Sequence, residues 1–284
     1  MLRKVLKYDL GSIWRIWLIL SVTSVALGAV GGVCMRLVEN PELNFAFFPI
    51  VILGLILSFI GIIAYIVITS ILIIVRYYNN FFTDEAYLTF TLPVKRSTLF
   101  DAKILTAFIF NTASALVFTV SLCLMLLIWP GADGSPMLFY VFEDFKDVFE
   151  ILFILAKDNG TAWWIIAYSV AFIILLLASF IYSTMATFAC ITFGGTVAKK
   201  HKILMSIAVY YGLNMAIEVV SLIISSLFSV VVQALQEYPE IIPNAAILWV
   251  ILMLLLGISA AIVLVSCFFY KFCVSKLRGN LNLA

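Results

Sequence analysis

Few residues in this chain have the types and spacing to do chemistry. Asn214, Glu218 and Ser221 are spaced four and three apart, so on a helix an amide, a carboxyl and a hydroxyl share one face. That face admits two roles. It can line a substrate path or a gate, or it can hold a glutamate hydrogen-bonded between helices and protonated because burial disfavours its charged form. The single histidine, His201, sits in the basic run Lys199 to Lys202, where solvent or lipid headgroups suit it better than catalysis. Gly194-Gly195-Thr196-Val197-Ala198-Lys199 has the glycines and lysine of a phosphate loop but not the GxxxxGK[ST] spacing. Neither an HExxH pair nor a serine, histidine and acid grouping occurs. No catalytic residue, metal ligand or resident cofactor is therefore expected, and the chain is not expected to be an enzyme by itself. The densest polar stretch is Arg76 to Arg96, which holds aromatics, the acidic pair Asp84-Glu85, Pro93 and the basic pair Lys95-Arg96. Its chemistry is that of recognition.

The elements that position these residues are membrane spans. The chain has 284 residues, of which 65% are hydrophobic and 11% charged, with a mean hydropathy of +1.19. A soluble domain carries about 25% charged residues, so lipid is the main solvent here. Apolar runs predict six spans, at about 17–35, 45–75, 99–129, 163–193, 203–232 and 245–270. Span 1 carries Gly28, Gly31 and Gly32, small residues that let helices approach closely. Span 2 is the outlier, because its run of apolar residues amounts to about 46 Å of helix. The hydrocarbon core is only about 30 Å thick, so this helix tilts or projects past the bilayer and carries Arg76 and Tyr77 with it. In span 3, Asn111, Thr112 and Ser114 read as packing glue, and Thr98 to Asp101 has the form of a capping box. Glycines 194 and 195 mark the end of span 4.

Two segments are amphipathic instead of spanning. In residues 1–16, Leu2, Val5, Leu6, Leu10 and Ile13 share a face with Trp17, opposite Arg3, Lys4, Lys7, Gly11 and Arg15. This predicts an interfacial helix, with Asp9 misplaced on its apolar side. In residues 137–158, Phe142, Phe145, Phe149 and Leu152 recur at helical spacing, with Glu143, Asp144, Lys146, Asp147 and Glu150 largely off that stripe. Trp163 and Trp164 then anchor span 4 at the interface. Five cysteines (Cys34, Cys123, Cys190, Cys267 and Cys273) lie in or beside apolar runs without CxxC spacing and read as small hydrophobes. An acylated Cys34 is not expected, because the residues before it lack the aliphatic signal, nor is a cleaved leader, because a charged, tryptophan-containing segment precedes span 1 and the chain stays apolar to its end.

Orientation follows from charge. With both ends on one side, 14 of the 17 cations fall in the N-terminus, the 76–98 loop and span 3 start, the 199–202 loop and the tail from Lys271. Only Arg36, Lys146 and Lys157 fall on the other side. Cations stay cytoplasmic, so the termini and the 76–98 loop are expected inside, in a bacterial cytoplasmic membrane.

Residues Tyr78 to Val94, followed by Lys95-Arg96 and Lys103-Ile104-Leu105, resemble the cytoplasmic loop of bacterial ABC-2 type transporter permeases of the Firmicutes type. Those permeases carry a segment similar to aromatic-x-Asn-Leu-Phe-Thr-Asp-Glu-Gly-Tyr-Leu-Thr-Leu-Thr-Leu-Pro-Val. This chain departs at Phe81, Ala86 and Phe90. Leu281-Asn282-Leu283 also looks like the end of such permeases. The resemblance implies an all-α polytopic membrane protein of six transmembrane helices. An N-terminal interfacial helix and a cytoplasmic coupling helix between spans 2 and 3 complete the implied fold. It further implies an exporter of a peptide antibiotic, drug or lipid-like molecule, with spans 2 and 5 lining the path. The implied partners are a second six-span subunit, membrane lipids and a cytoplasmic ATPase subunit that holds the ATP and magnesium; nucleic acid is not among them. The residues suit the coupling role. Thr83 can cap a short helix whose first turn holds Asp84 and Glu85, favourable for its dipole. Tyr87, Leu88 and Leu92 offer an aromatic and apolar contact face, and Pro93 stops the helix. The competing readings are a gradient-driven carrier built on Glu218 and a membrane scaffold or sensor that recruits a cytoplasmic protein.

Overall fold

The computed structural model describes residues 2–39, 47–83, 85–86, 91, 94–131, 133–158, 162–198, 201–237 and 244–278. Seven long helices lie among them: α1 (Leu2–Val38), α2 (Phe48–Phe82), α3 (Arg96–Ile128), α4 (Met137–Asp158), α5 (Ala162–Val197), α6 (Lys202–Glu237) and α7 (Asn244–Arg278). All but α4 are long and apolar enough to cross a membrane, which makes six spans. The protein is an all-α, multi-pass membrane protein.

The helices overrun the apolar runs that predict them. Hydropathy falls where lipid-compatible residues stop, but the backbone ladder continues until a residue cannot join it. Residues 2–16 are accordingly not a separate interfacial helix: they are the first turns of α1, since nothing in Gly11-Ser12-Ile13 breaks the ladder. Their two faces are as expected, with Ile13 buried and Arg3, Lys4, Lys7, Gly11 and Arg15 exposed. Gly194 and Gly195 lie in the last turn of α5, which ends at Val197, close to where the sequence ends the span. The Thr98 pattern does not start α3, which begins at Arg96 and holds Thr98 in its first turn. The basic residues from Lys271 to Arg278 continue α7, burying Cys273, Val274 and Leu277.

The chain divides into two compact units. Unit 1 holds Met1–Tyr77 and Thr98–Ile154. One stripe of α1 organises it: Asp9, Ile13, Ser21, Ser24, Gly28, Gly31 and Gly32 are its buried residues. A Cβ on Gly28 would collide with the Ser121 carbonyl of α3, and one on Gly32 would stand 2.7 Å from Ile128 Cβ. Only glycine permits this approach, and short hydroxyl contacts fill the same seam. Trp17 Nε1 donates to Ser114 Oγ (2.8 Å), and Ser24 and Ser121 hydroxyls meet at 3.1 Å. Ser21 meets the Tyr65 hydroxyl of α2 at 3.1 Å. Ser114 is thus the glue expected of it, whereas Thr112 is exposed and bonds its own helix at Phe108.

A tight turn joins α3 to α4. The Met137 N–H donates to the Trp129 carbonyl (2.8 Å), and the Gly134 N–H to the Gly131 carbonyl (2.9 Å). Gly134 takes a φ of 76°, a conformation that favours glycine. Helix α4 fills the predicted 137–158 segment to the residue, with Phe139, Phe142, Phe145, Phe149 and Phe153 exposed.

Unit 2 holds Tyr78–Ser97 and Leu155–Ala284. Helix α5 is its centre and packs on both α6 and α7. Near one end, Trp163, Trp164 and Trp249 cluster, with the Trp164 and Trp249 rings edge-on at 4.9 Å. Trp164 is buried in this contact with Ala171 and Leu252, while Trp163 is left half exposed. Of the cysteines, Cys190 and Cys273 are buried as expected, Cys34 and Cys123 are half-buried, and Cys267 is exposed on α7.

Candidate functional site

The 76–98 segment begins as helix. α2 continues through Arg76 to Phe82, making the helix about 52 Å long at 1.5 Å per residue. Its last turns are not free for a partner, however. Tyr77, Phe81 and Phe82 are buried, and the Tyr77 ring meets Phe100 of α3 edge-on at 6.2 Å. The length of span 2 places Tyr77 beyond the bilayer, but the bulk of these aromatics fills the chain's own interior. The Phe82 ring lies so close to Gly195 of α5 that a Cβ there would stand 2.5 Å from it.

Thr83 ends this helix. Its hydroxyl turns back and donates to the Asn79 carbonyl at 2.5 Å. Its carbonyl accepts the Ala86 N–H at 2.8 Å, closing a turn into the helical Glu85 and Ala86. Ala86 is fully buried, while Glu85 is exposed. Asp84, Tyr87, Leu88, Leu92 and Pro93 lie outside the described residues. At the far end, Arg96 Nη1 donates to the Leu277 carbonyl of α7 at 2.6 Å. The segment is therefore fastened twice within unit 2, through Phe82 on α5 and through Arg96 on α7.

The predicted polar face of α6 is present. Asn214, Glu218 and Ser221 share a side of the helix, and Ser225 and Ser229 extend it at the same spacing. Glu218 and Ser221 are exposed, so the carboxyl is not held between two helices of this chain. The neighbouring polar groups satisfy themselves locally. Asn214 Nδ2 donates to the Tyr210 carbonyl (2.9 Å) and Ser221 Oγ to the Glu218 carbonyl (2.8 Å). The described residues of α6 from Met215 onward are all exposed, and Ser206 is the buried residue near its start. Ser206 sits against Gly194, where a Cβ would stand 2.6 Å from the Ser206 backbone nitrogen. A carboxyl at the centre of a lipid-facing helix costs about 3 kcal/mol. Such a stripe is costlier against lipid than against a polar surface.

Sequence reasoning missed the ion pair that explains Asp9. Lys103 Nζ donates to Asp9 Oδ1 at 2.5 Å, with both side chains buried. The signal was there, as a carboxylate on an apolar helix face and a lysine just inside the start of another helix. Among the described residues no cluster of histidine, cysteine or carboxylates could hold a metal. No family model, no curated protein and no solved structure matches this chain.

Proposed function

We propose that the chain is the membrane permease subunit of an ATP-driven ABC exporter, moving a peptide, drug or lipid-like molecule outward under the power of a separate ATPase subunit. The observation that carries the reading is the double fastening of the 76–98 segment. A body docked on Asp84 to Leu92 would pull on α5 through Phe82 and Gly195, and on α7 through Arg96 and Leu277. Motion imposed on the segment thereby becomes motion of membrane helices. The polar stripe of half-buried Asn214 and exposed Glu218 and Ser221 fits the same assembly, since a second six-span subunit would cover it or share a cavity with it.

A tagged chain co-expressed with its ATPase subunit tests the reading. The intact chain is expected to retain the ATPase through purification, and Tyr87→Ala with Leu88→Ala to lose about tenfold of it while still inserting, as befits removal of interface anchors. The exposed Glu218 favours one rival, a carrier driven by a proton gradient. Flux through liposomes holding the chain alone, driven by a pH step and abolished by Glu218→Gln, would establish the carrier and overturn the exporter.

A further inference from the structure

Helix α7 crosses from Trp249 to Tyr270 before its basic stretch begins. That interval is 22 residues of helix, a rise of about 32 Å, close to one hydrocarbon thickness of about 30 Å. Tryptophan and tyrosine settle at the two interfaces of a bilayer, so Trp249 and Tyr270 mark the two headgroup levels on this helix.

At the Tyr270 level unit 2 has an open cleft of about 460 Å³, lined by Ser97, Tyr270, Lys271, Val274 and Ser275. The lining offers an ammonium, two seryl hydroxyls and a phenol, all able to donate, beside the apolar wall of Val274. None of the lining residues is a carboxylate. Lys95 and Lys276 are exposed close by in sequence, and Lys276 lies over the Phe272 ring at 6.0 Å. The carboxy end of a helix ordinarily repels anions through its unpaired carbonyls. Here Arg96 caps the Leu277 carbonyl and lowers that repulsion, and the same hydrogen bond holds Ser97 at the rim of the cleft.

We propose that this cleft binds a phosphate group, with Lys271 as the charge partner and Ser97, Ser275 and Tyr270 as hydrogen-bond donors. Its depth in the membrane makes the headgroup of an anionic phospholipid the natural source, and a free phosphate shares the same chemistry. Charge-assisted hydrogen bonds to phosphate are stronger than neutral ones, so Lys271 is the residue whose loss should be felt most.

The test is native mass spectrometry of the purified full chain, titrated with phosphatidylglycerol or with phosphatidylcholine. Tighter retention of phosphatidylglycerol is expected. Lys271→Gln should weaken it about tenfold, the range of a lost hydrogen bond to a charged group, and Ser275→Ala should weaken it less. Lys276→Gln carries the same change in net charge outside the lining and should weaken retention much less than Lys271→Gln. Lipid that stays bound in millimolar inorganic phosphate identifies the headgroup as the ligand; lipid displaced by it identifies a soluble phosphate. Equal retention of the two lipids, or equal losses in Lys271→Gln and Lys276→Gln, overturns the site. Because both glutamine changes fall on exposed side chains, misfolding does not stand in for either result.

Discussion

At the scale of single residues, the Asp9 and Lys103 pair shows how a sequence misfit becomes a structural tie. Asp9 spoils the apolar face of the first helical turns, and in a surface helix it would simply be unfavourable. Buried against Lys103, it fastens the amino-terminal end of α1 to α3. Removing one partner strands the other charge in the interior, a loss of about 3–5 kcal/mol. Asp9→Ala and Lys103→Met should therefore each lower the thermal midpoint of the chain in detergent. The double variant should be more stable than either single one, because two apolar side chains no longer strand a charge. A double variant as unstable as the sum of the singles would show that the two residues act independently.

At the scale of elements, α4 is the helix whose role depends on the bilayer. It is too charged to cross, yet it carries exposed phenylalanines at 139, 142, 145, 149 and 153. Its acidic residues Glu143, Asp147 and Glu150 sit on another side, so it has the two faces of a helix lying in an interface. Phe145→Trp places a fluorophore on the apolar face without changing its character. Its emission should be quenched by lipids brominated near the headgroup, and Asp144→Trp on the opposing face should be quenched much less. The glycine pairs carry a second lesson at this scale. Gly194 and Gly195 read as a helix end and do stand in the last turn of α5, but they are also the point where α5 admits Ser206 and Phe82. A glycine in sequence marks a missing side chain, and only the neighbouring helix shows whether that space ends an element or joins two.

At the scale of the whole molecule, the split of cations makes a prediction about sidedness. In a background lacking the native cysteines, Lys7→Cys should react with a membrane-impermeant maleimide only after cells are permeabilised. Asp133→Cys, in the turn between α3 and α4, should react from outside intact cells. The reverse pattern would invert the orientation and rule out the proposed docking of a cytoplasmic ATPase on the 76–98 segment.

The number of spans, their order and the amphipathic α4 were legible in the sequence, because burial in lipid imposes long apolar runs that composition cannot hide. The polar stripe on α6 was legible too, since residues spaced three and four apart share a helix face whatever surrounds it. What the tertiary structure decided was which polar and aromatic residues face the interior. Tyr77 and Phe82 stand in a polar stretch of the sequence until Phe100 and Gly195 are seen against them, and Asp9 looks like an error until Lys103 reaches it. Periodicity fixes the face on which a side chain stands; only the packing of distant helices fixes what that face meets.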